Sequence, residues 1–184
     1  MKKILLIFTI VLFTVIVYYG FIRPYPQLDN AKILIEKLKW QETNKRLLAC
    51  QLVTTVELSK EYEIDPYLVL AIRYVESNGK LRVQAKDFFK TGSINTYQST
   101  VDNIRTYSNM DVCTVNYDFN ESTEVCLRYL KDCKTKLNNT NRIIVAYNKG
   151  IDGCRKLSDS EVNNHYYLGK VLKTLNELKT NIKL

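Results

Sequence analysis

Apolar residues recur at three- and four-residue intervals through Leu68, Val69, Ala71, Ile72 and Val75, a stripe that predicts a short buried helix. Asp65 is placed to cap it and Pro66 suits its first turn, because that turn leaves amide hydrogens without helical partners and proline has none to lose. Asn78-Gly79 supplies the residues on which helices stop. A second apolar run, Ile143 to Ala146, predicts a helix over 142–150 that ends in Tyr147, Asn148 and a terminating glycine. Amphipathic patterns predict further helices over 28–48, 52–62 and 122–136. Ser158-Asp159-Ser160-Glu161 fits a capping box for a last helix through Val162, Val171, Leu172, Leu175 and Leu178. Residues 80–120 are polar, show little helical periodicity and are expected to form cleft walls. The pattern as a whole predicts a mainly α domain.

The segment 4–22 is almost unbroken in its apolar character, with Lys2 and Lys3 before it and Arg23 after it. About twenty apolar residues span a bilayer core, and leading lysines favour a cytoplasmic start, which sends the remainder across the membrane. A cleaved signal peptide would need small residues before the cut, and the stretch ends in bulky ones, Tyr18, Tyr19, Phe21 and Ile22. The expectation is therefore a single-pass anchor in the inner (cytoplasmic) membrane with the domain in the periplasm or outside the cell; secretion after signal cleavage is the alternative. No cysteine follows closely enough for a lipid-modified terminus. The implied organisation is an anchor over 1–23, a connector stiffened by Pro24 and Pro26 with an amphipathic helix over 24–50, and one domain over 51–184, a size that suits a single core.

The formal charge of +8 changes this picture little. Lysines and arginines are spread among acidic residues, without a basic run or base-stacking motif, so nucleic acid is not an expected partner; a solvated surface attracted to anionic wall polymer or lipid headgroups is. Five cysteines, Cys50, Cys113, Cys126, Cys133 and Cys154, fit an oxidising compartment. Cys126 and Cys133 lie on one predicted helix with Cα atoms roughly 10 Å apart, too far for a bridge. If Cys50 is the odd thiol, either Cys113 pairs with Cys126 and Cys133 with Cys154, or Cys113 with Cys133 and Cys126 with Cys154. No Cys-x-x-Cys pair exists and His165 is the one histidine, so neither metal nor cofactor is expected. His165 itself is read as a partly exposed helix residue.

Glu76 gives the chain its candidate chemistry. It follows Ile72 by four residues and Val69 by seven, which puts its carboxylate on or beside the buried stripe in the last helical turn. Desolvation and the negative helix end both raise a carboxyl pKa, so a proton can stay on Glu76 near neutral pH. The plain alternative is a solvated glutamate at a helix end.

Glu76-Ser77 after an apolar helix, with Ala146-Tyr147-Asn148-x-Gly150 about seventy residues later, resembles the lytic transglycosylase and goose-type lysozyme superfamily. Weaker matches follow the same order: Gly92 and Gln98 at the spacing of the family's Gly-Leu-Met-Gln segment, Tyr129-Leu130, and Tyr167-Leu168-x-x-Val171. The middle segment departs, reading Asn95-Thr96-Tyr97-Gln98, and Ser99-Thr100-Val101 replaces the family's methionine-proline turn. The resemblance implies an α+β lysozyme-like fold with a small irregular or β element beside the cleft, and peptidoglycan glycan strands as substrate. It implies cleavage between N-acetylmuramic acid and N-acetylglucosamine with a 1,6-anhydro product, by a route that needs one carboxylate where ordinary glycosidases need two. Glu76 would be that acid. Tyr147 would hold its carboxyl by a hydrogen bond, Asn148 and Gln98 would contact sugar substituents, Ser77 would orient peptide or substrate, and Tyr167 would line the cleft. Asp87, Asp102 and Asp111 are the acidic residues that can approach from the middle region. A membrane-anchored wall-binding or assembly protein without the chemistry is the competing function. A secretion apparatus, a pilus or a phage particle is the kind of machine that would use local wall opening.

Overall fold

The computed structural model describes residues 26–41, 44–80, 93–94 and 97–184. Their order is α1 (Pro26–Glu36), α2 (Lys45–Glu61), α3 (Pro66–Ser77), β1 (Ser93–Ile94), β2 (Ser99–Thr100), α4 (Val101–Tyr107), α5 (Val112–Tyr117), α6 (Phe119–Leu137), α7 (Thr140–Lys149), α8 (Ile151–Arg155), α9 (Asp159–Asn163) and α10 (Tyr166–Asn181). The fold is mainly helical, and β1 and β2 form one small antiparallel pair with Ser93 opposite Thr100 and Ile94 opposite Ser99. The expected anchor, 1–23, lies outside the described residues; among the described residues no helix is long and apolar enough to cross a membrane.

The stripe read on α3 is buried almost all round, since Val69, Leu70, Ala71 and Ile72 have no exposed surface. Asp65 caps the helix by accepting from Tyr67 N at 2.9 Å, and Pro66 opens the first turn. At the other end Asn78 and Gly79 take φ of 51° and 74°. A Cβ on Gly79 would lie 3.1 Å from Trp40 Cα and 3.0 Å from the Tyr74 ring, so both space and φ require glycine there. α10 runs antiparallel to α3: Lys179 meets Asp65 at one end and Tyr167 meets Glu76 at the other.

The single helix expected over 28–48 is in fact two. α1 stops at Glu36, Lys39 turns the chain with φ 54°, and α2 restarts at Lys45 because the Asn44 side chain accepts from Leu47 N at 3.0 Å. The break carries Trp40 inward, where it is 3% exposed. Ala31 and Leu34 join it in the core, Asn30 Nδ2 donates to Lys183 O at 2.7 Å, and Gln41 N donates to Gly79 O at 3.1 Å. α1 therefore points in the same sense as α3, its start near the 182–184 tail and the chain beyond it near Gly79, and it packs into the domain chiefly on α2.

Arg73 fastens these pieces together. Its guanidinium lies 5.0 Å from the Trp40 ring centre and 4.9 Å from that of Phe119, and Nη2 donates to Gln51 Oε1; Arg73 itself has no exposed surface. Trp40, α2, α3 and the start of α6 thus meet on one buried cation.

Two further expectations need correction. Within 80–120, α4 and α5 appear, capped by Thr100 and Asp111; helices of 7 and 6 residues are too short to display a period in sequence. The capping box at Ser158 and Glu161 is present, yet it serves α9 alone. The chain restarts after Asn163 with His165 as the cap of α10, its Nδ1 accepting from Tyr167 N at 3.3 Å.

The expected disulfides are absent: all five cysteines are free thiols. Cys126 and Cys133 point into the core from α6, whereas Cys113 is exposed, so neither pairing scheme is met; Cys154 is buried, with Sγ donating to Arg142 O at 3.3 Å. The cysteines thus lend no support to an oxidising compartment.

Candidate active site

Glu76 sits half-buried in the last turn of α3, and Tyr167 Oη donates to its Oε1 at 2.6 Å. Burial raises the carboxyl pKa above the usual glutamate range, and the Tyr167 hydrogen bond offsets part of that rise by favouring the ionised form. Among the described residues no second carboxylate adds to this balance. Tyr167 is buried in the first turn of α10, directly after the His165 cap that fixes where the helix begins. Burial first, then the Glu76 charge, push its phenol well above the ordinary tyrosine value, so it remains a donor.

Tyr147, expected to bond the carboxyl, lies near enough to feel the Glu76 charge but spends its hydroxyl on another partner. It stands near the end of α7 and its hydroxyl donates to Tyr97 O at 2.9 Å. α7 terminates at Gly150 with φ 75°, and Tyr129 supports the same end by donating to Ala146 O at 2.9 Å, its ring 5.7 Å from that of Tyr147. The reason for the exchange is one of placement: Tyr167 opens the helix antiparallel to α3 and so lies opposite Glu76. Cys126, fully buried on α6, backs this group, its thiol pushed up to about 12 chiefly by burial, lowered by a hydrogen bond with Tyr147 and raised again by the Glu76 charge.

Tyr97 is an inward anchor. It is fully buried, shares a hydrogen bond with Thr123 Oγ1 at 3.2 Å and has its pKa raised to about 12, above all by burial. With ring and carbonyl both held, Gln98 follows at φ 52°, a left-handed conformation that costs a non-glycine residue about 1 kcal/mol, and stays half-exposed. Asn148 is exposed on the last turn of α7, where Oδ1 accepts from Tyr166 Oη at 3.5 Å. Ser77, expected to orient peptide or substrate, is 4% exposed and its hydroxyl donates to Arg73 O at 2.7 Å within its own helix.

Of the acidic residues expected to approach, Asp87 lies outside the described residues, as do Gly92, Asn95 and Thr96. Asp111 is committed to capping, accepting from Thr114 N and Oγ1 at 3.0 and 2.6 Å, and Asp102 is exposed in the first turn of α4. No group of three or more metal-ligating side chains occurs among the described residues. Sequence reasoning missed Tyr166, 61% exposed beside Asn148 with Lys170 Nζ 5.5 Å from its ring centre. The signal was the Tyr-Tyr pair itself, because adjacent positions on an amphipathic helix point about 100° apart, and at the edge of the buried face Tyr167 goes in while Tyr166 stays out.

Among the described residues, a half-buried carboxyl under a phenol, with no second carboxylate acting on it, stands at one end of a packed helix pair on a mainly helical scaffold. Residues 54–167, which include Glu76, Tyr147 and Tyr167, match the model of the Transglycosylase SLT domain, and the chain belongs to that family. Membership supports transglycosylase-type cleavage of glycosidic bonds, with peptidoglycan as substrate. Neither the curated proteins nor the solved structures gave a match.

Proposed function

We propose that this protein is a membrane-anchored lytic transglycosylase that cuts the β-1,4 bond between N-acetylmuramic acid and N-acetylglucosamine and closes the muramic residue into a 1,6-anhydro sugar. The observation that supports it most is Glu76: a half-dry carboxyl with a raised pKa, bonded to a neutral phenol. Its proton goes to the glycosidic oxygen as the C1–O bond breaks, and the acetamido oxygen of the substrate covers the positive C1. The muramic O6 then attacks C1, releasing the acetamido group, and its proton passes to Glu76. The carboxyl is restored and no water is used. One group acting as acid and then base works best with a pKa near the operating pH, and such catalysis is worth about 10² to 10⁴ in rate.

Tyr167 orients the carboxyl and softens its pKa shift. Gln98, held outward by the anchored Tyr97, and Asn148 at the end of α7 contact sugar substituents; Tyr147 serves them through Tyr97 O. The apolar segment 4–22 anchors the chain in the inner membrane with the domain on the far side, where it opens the wall locally for an assembly machine.

Mass spectrometry of muropeptides released from purified sacculi by the full chain, beside a Glu76→Gln variant, tests this. Anhydromuropeptides from the native chain alone are the expected result. Reducing ends would make it a hydrolase, and no products with retained wall binding would make it the non-catalytic binding protein.

A further inference from the structure

One end of the domain gathers features that the chemistry leaves unused. α1 begins there at Pro26, Asn30 trades hydrogen bonds with Lys183 (2.7 Å to its carbonyl, 3.3 Å from its amide), and Tyr67 Oη donates to Ile182 O at 3.2 Å and accepts from Leu184 N at 3.1 Å. Lys179 pairs with Asp65 at 2.8 Å at the same end, which is the start of α3. Leu28, in the first turn of α1, keeps 39% of its surface exposed, and Lys183 is exposed at the tail. Glu76 stands at the opposite end of α3, eleven residues on, or about 16 Å along the helix.

The distance from the apolar stretch matters as much. Ile22 and Pro26 are four residues apart, a span of at most about 14 Å, and Pro24 and Pro26 stiffen it. Because α1 is packed into the core, a chain that leaves a bilayer at residue 22 holds the start of α1, and with it the end bearing Leu28 and residues 182–184, within about 14 Å of the lipid.

We propose that this end is a membrane-facing surface, seated on anionic phospholipid headgroups through Lys183 and Leu28, which aims the Glu76 end away from the bilayer toward the glycan. This rests on the anchor proposed above and is independent of the cleavage chemistry. An ammonium and an exposed leucine suit the headgroup boundary, where lysine meets phosphate and a short apolar side chain leaves water.

The test places the full chain in vesicles of phosphatidylethanolamine and phosphatidylglycerol carrying a headgroup-attached quencher. Cys50 and Cys113, the exposed thiols, are first replaced by serine, and a fluorophore is attached through Lys183→Cys or Glu161→Cys; Glu161 lies in α9, close before the Tyr167 end of α10. Quenching several-fold stronger at 183 than at 161 is expected, together with weaker quenching at 183 when phosphatidylglycerol is omitted. Equal quenching, stronger quenching at 161, or failure of the chain to float with vesicles overturns the inference. Muropeptide release from the same samples reports separately on the enzymatic proposal.

Discussion

Asp65 and Glu76 stand at opposite ends of α3, and the same functional group has been given two different lives there. Asp65, its side chain 39% exposed, accepts from Tyr67 N and is ion-paired to Lys179 at 2.8 Å. Beside it opens a cavity of about 630 Å³ floored by Ile64, Leu68, Leu130, Ile143 and Leu175. Glu76, by contrast, accepts from the Tyr167 phenol and has a pKa raised by burial. The Asp65 end is thus the chemically quiet one: a charge held by a cation and a cap is structural, and a half-dry carboxyl facing a neutral donor can trade its proton.

The hardest blow to this contrast would be symmetrical behaviour of the two carboxyls. Glu76→Gln should lower anhydromuropeptide release about 10³-fold with an unchanged circular dichroism spectrum, whereas Asp65→Asn should leave release within about twofold. Arg73→Met comes next, removing the cation shared by Trp40, Phe119 and Gln51; a loss of about 3 kcal/mol is expected from urea unfolding. Tyr167→Phe should cost roughly tenfold in release. It should also move the high-pH limb of the rate profile upward, because the hydrogen bond now lowers the Glu76 pKa.

The sign of the stability effect follows from the same shift. A carboxyl whose folded pKa is raised favours the fold fully below its unfolded value, and that contribution is lost as pH rises through the folded pKa. Thermal melts should therefore show the native chain losing ground to Glu76→Gln as pH rises above the usual glutamate pKa of about 4.3, because the folded-state pKa lies above it. Equal slopes would count against a desolvated Glu76. Smallest of all, Lys179→Met should change stability by less than about 1 kcal/mol, since its ion pair is solvent-exposed.

Much of the acid-bearing helix was legible in residues alone. Its cap, its proline, its apolar stripe and its left-handed stop are local signals, and each is where the pattern put it. The small β pair was expected from the family resemblance alone. What escaped was set across space. That Tyr167 faces Glu76 depends on the antiparallel placing of α10, and that Tyr147 holds a carbonyl depends on the burial of Tyr97, neither of which leaves a mark in nearby sequence. The cysteine spacing misled for a related reason: thiols on α6 are small apolar core residues, and a count cannot distinguish them from bridge halves. Ser77, chosen as the neighbour of Glu76, was spent by its own helix.

The buried cation between Trp40 and Phe119 has a last consequence for where this molecule can be cut. Likeness to the family begins at residue 54 and ends at 167, yet Ala31, Leu34 and Trp40 lie upstream, and Val171 and Leu178 downstream, all within one continuous core. An excised fragment trimmed to the recognisable portion would open one side of Arg73 to water and strip most of α10 from the acid's own helix. The unit that inheritance marks is narrower than the unit that folds, and a truncation made for crystals or calorimetry should keep residue 26 and the tail.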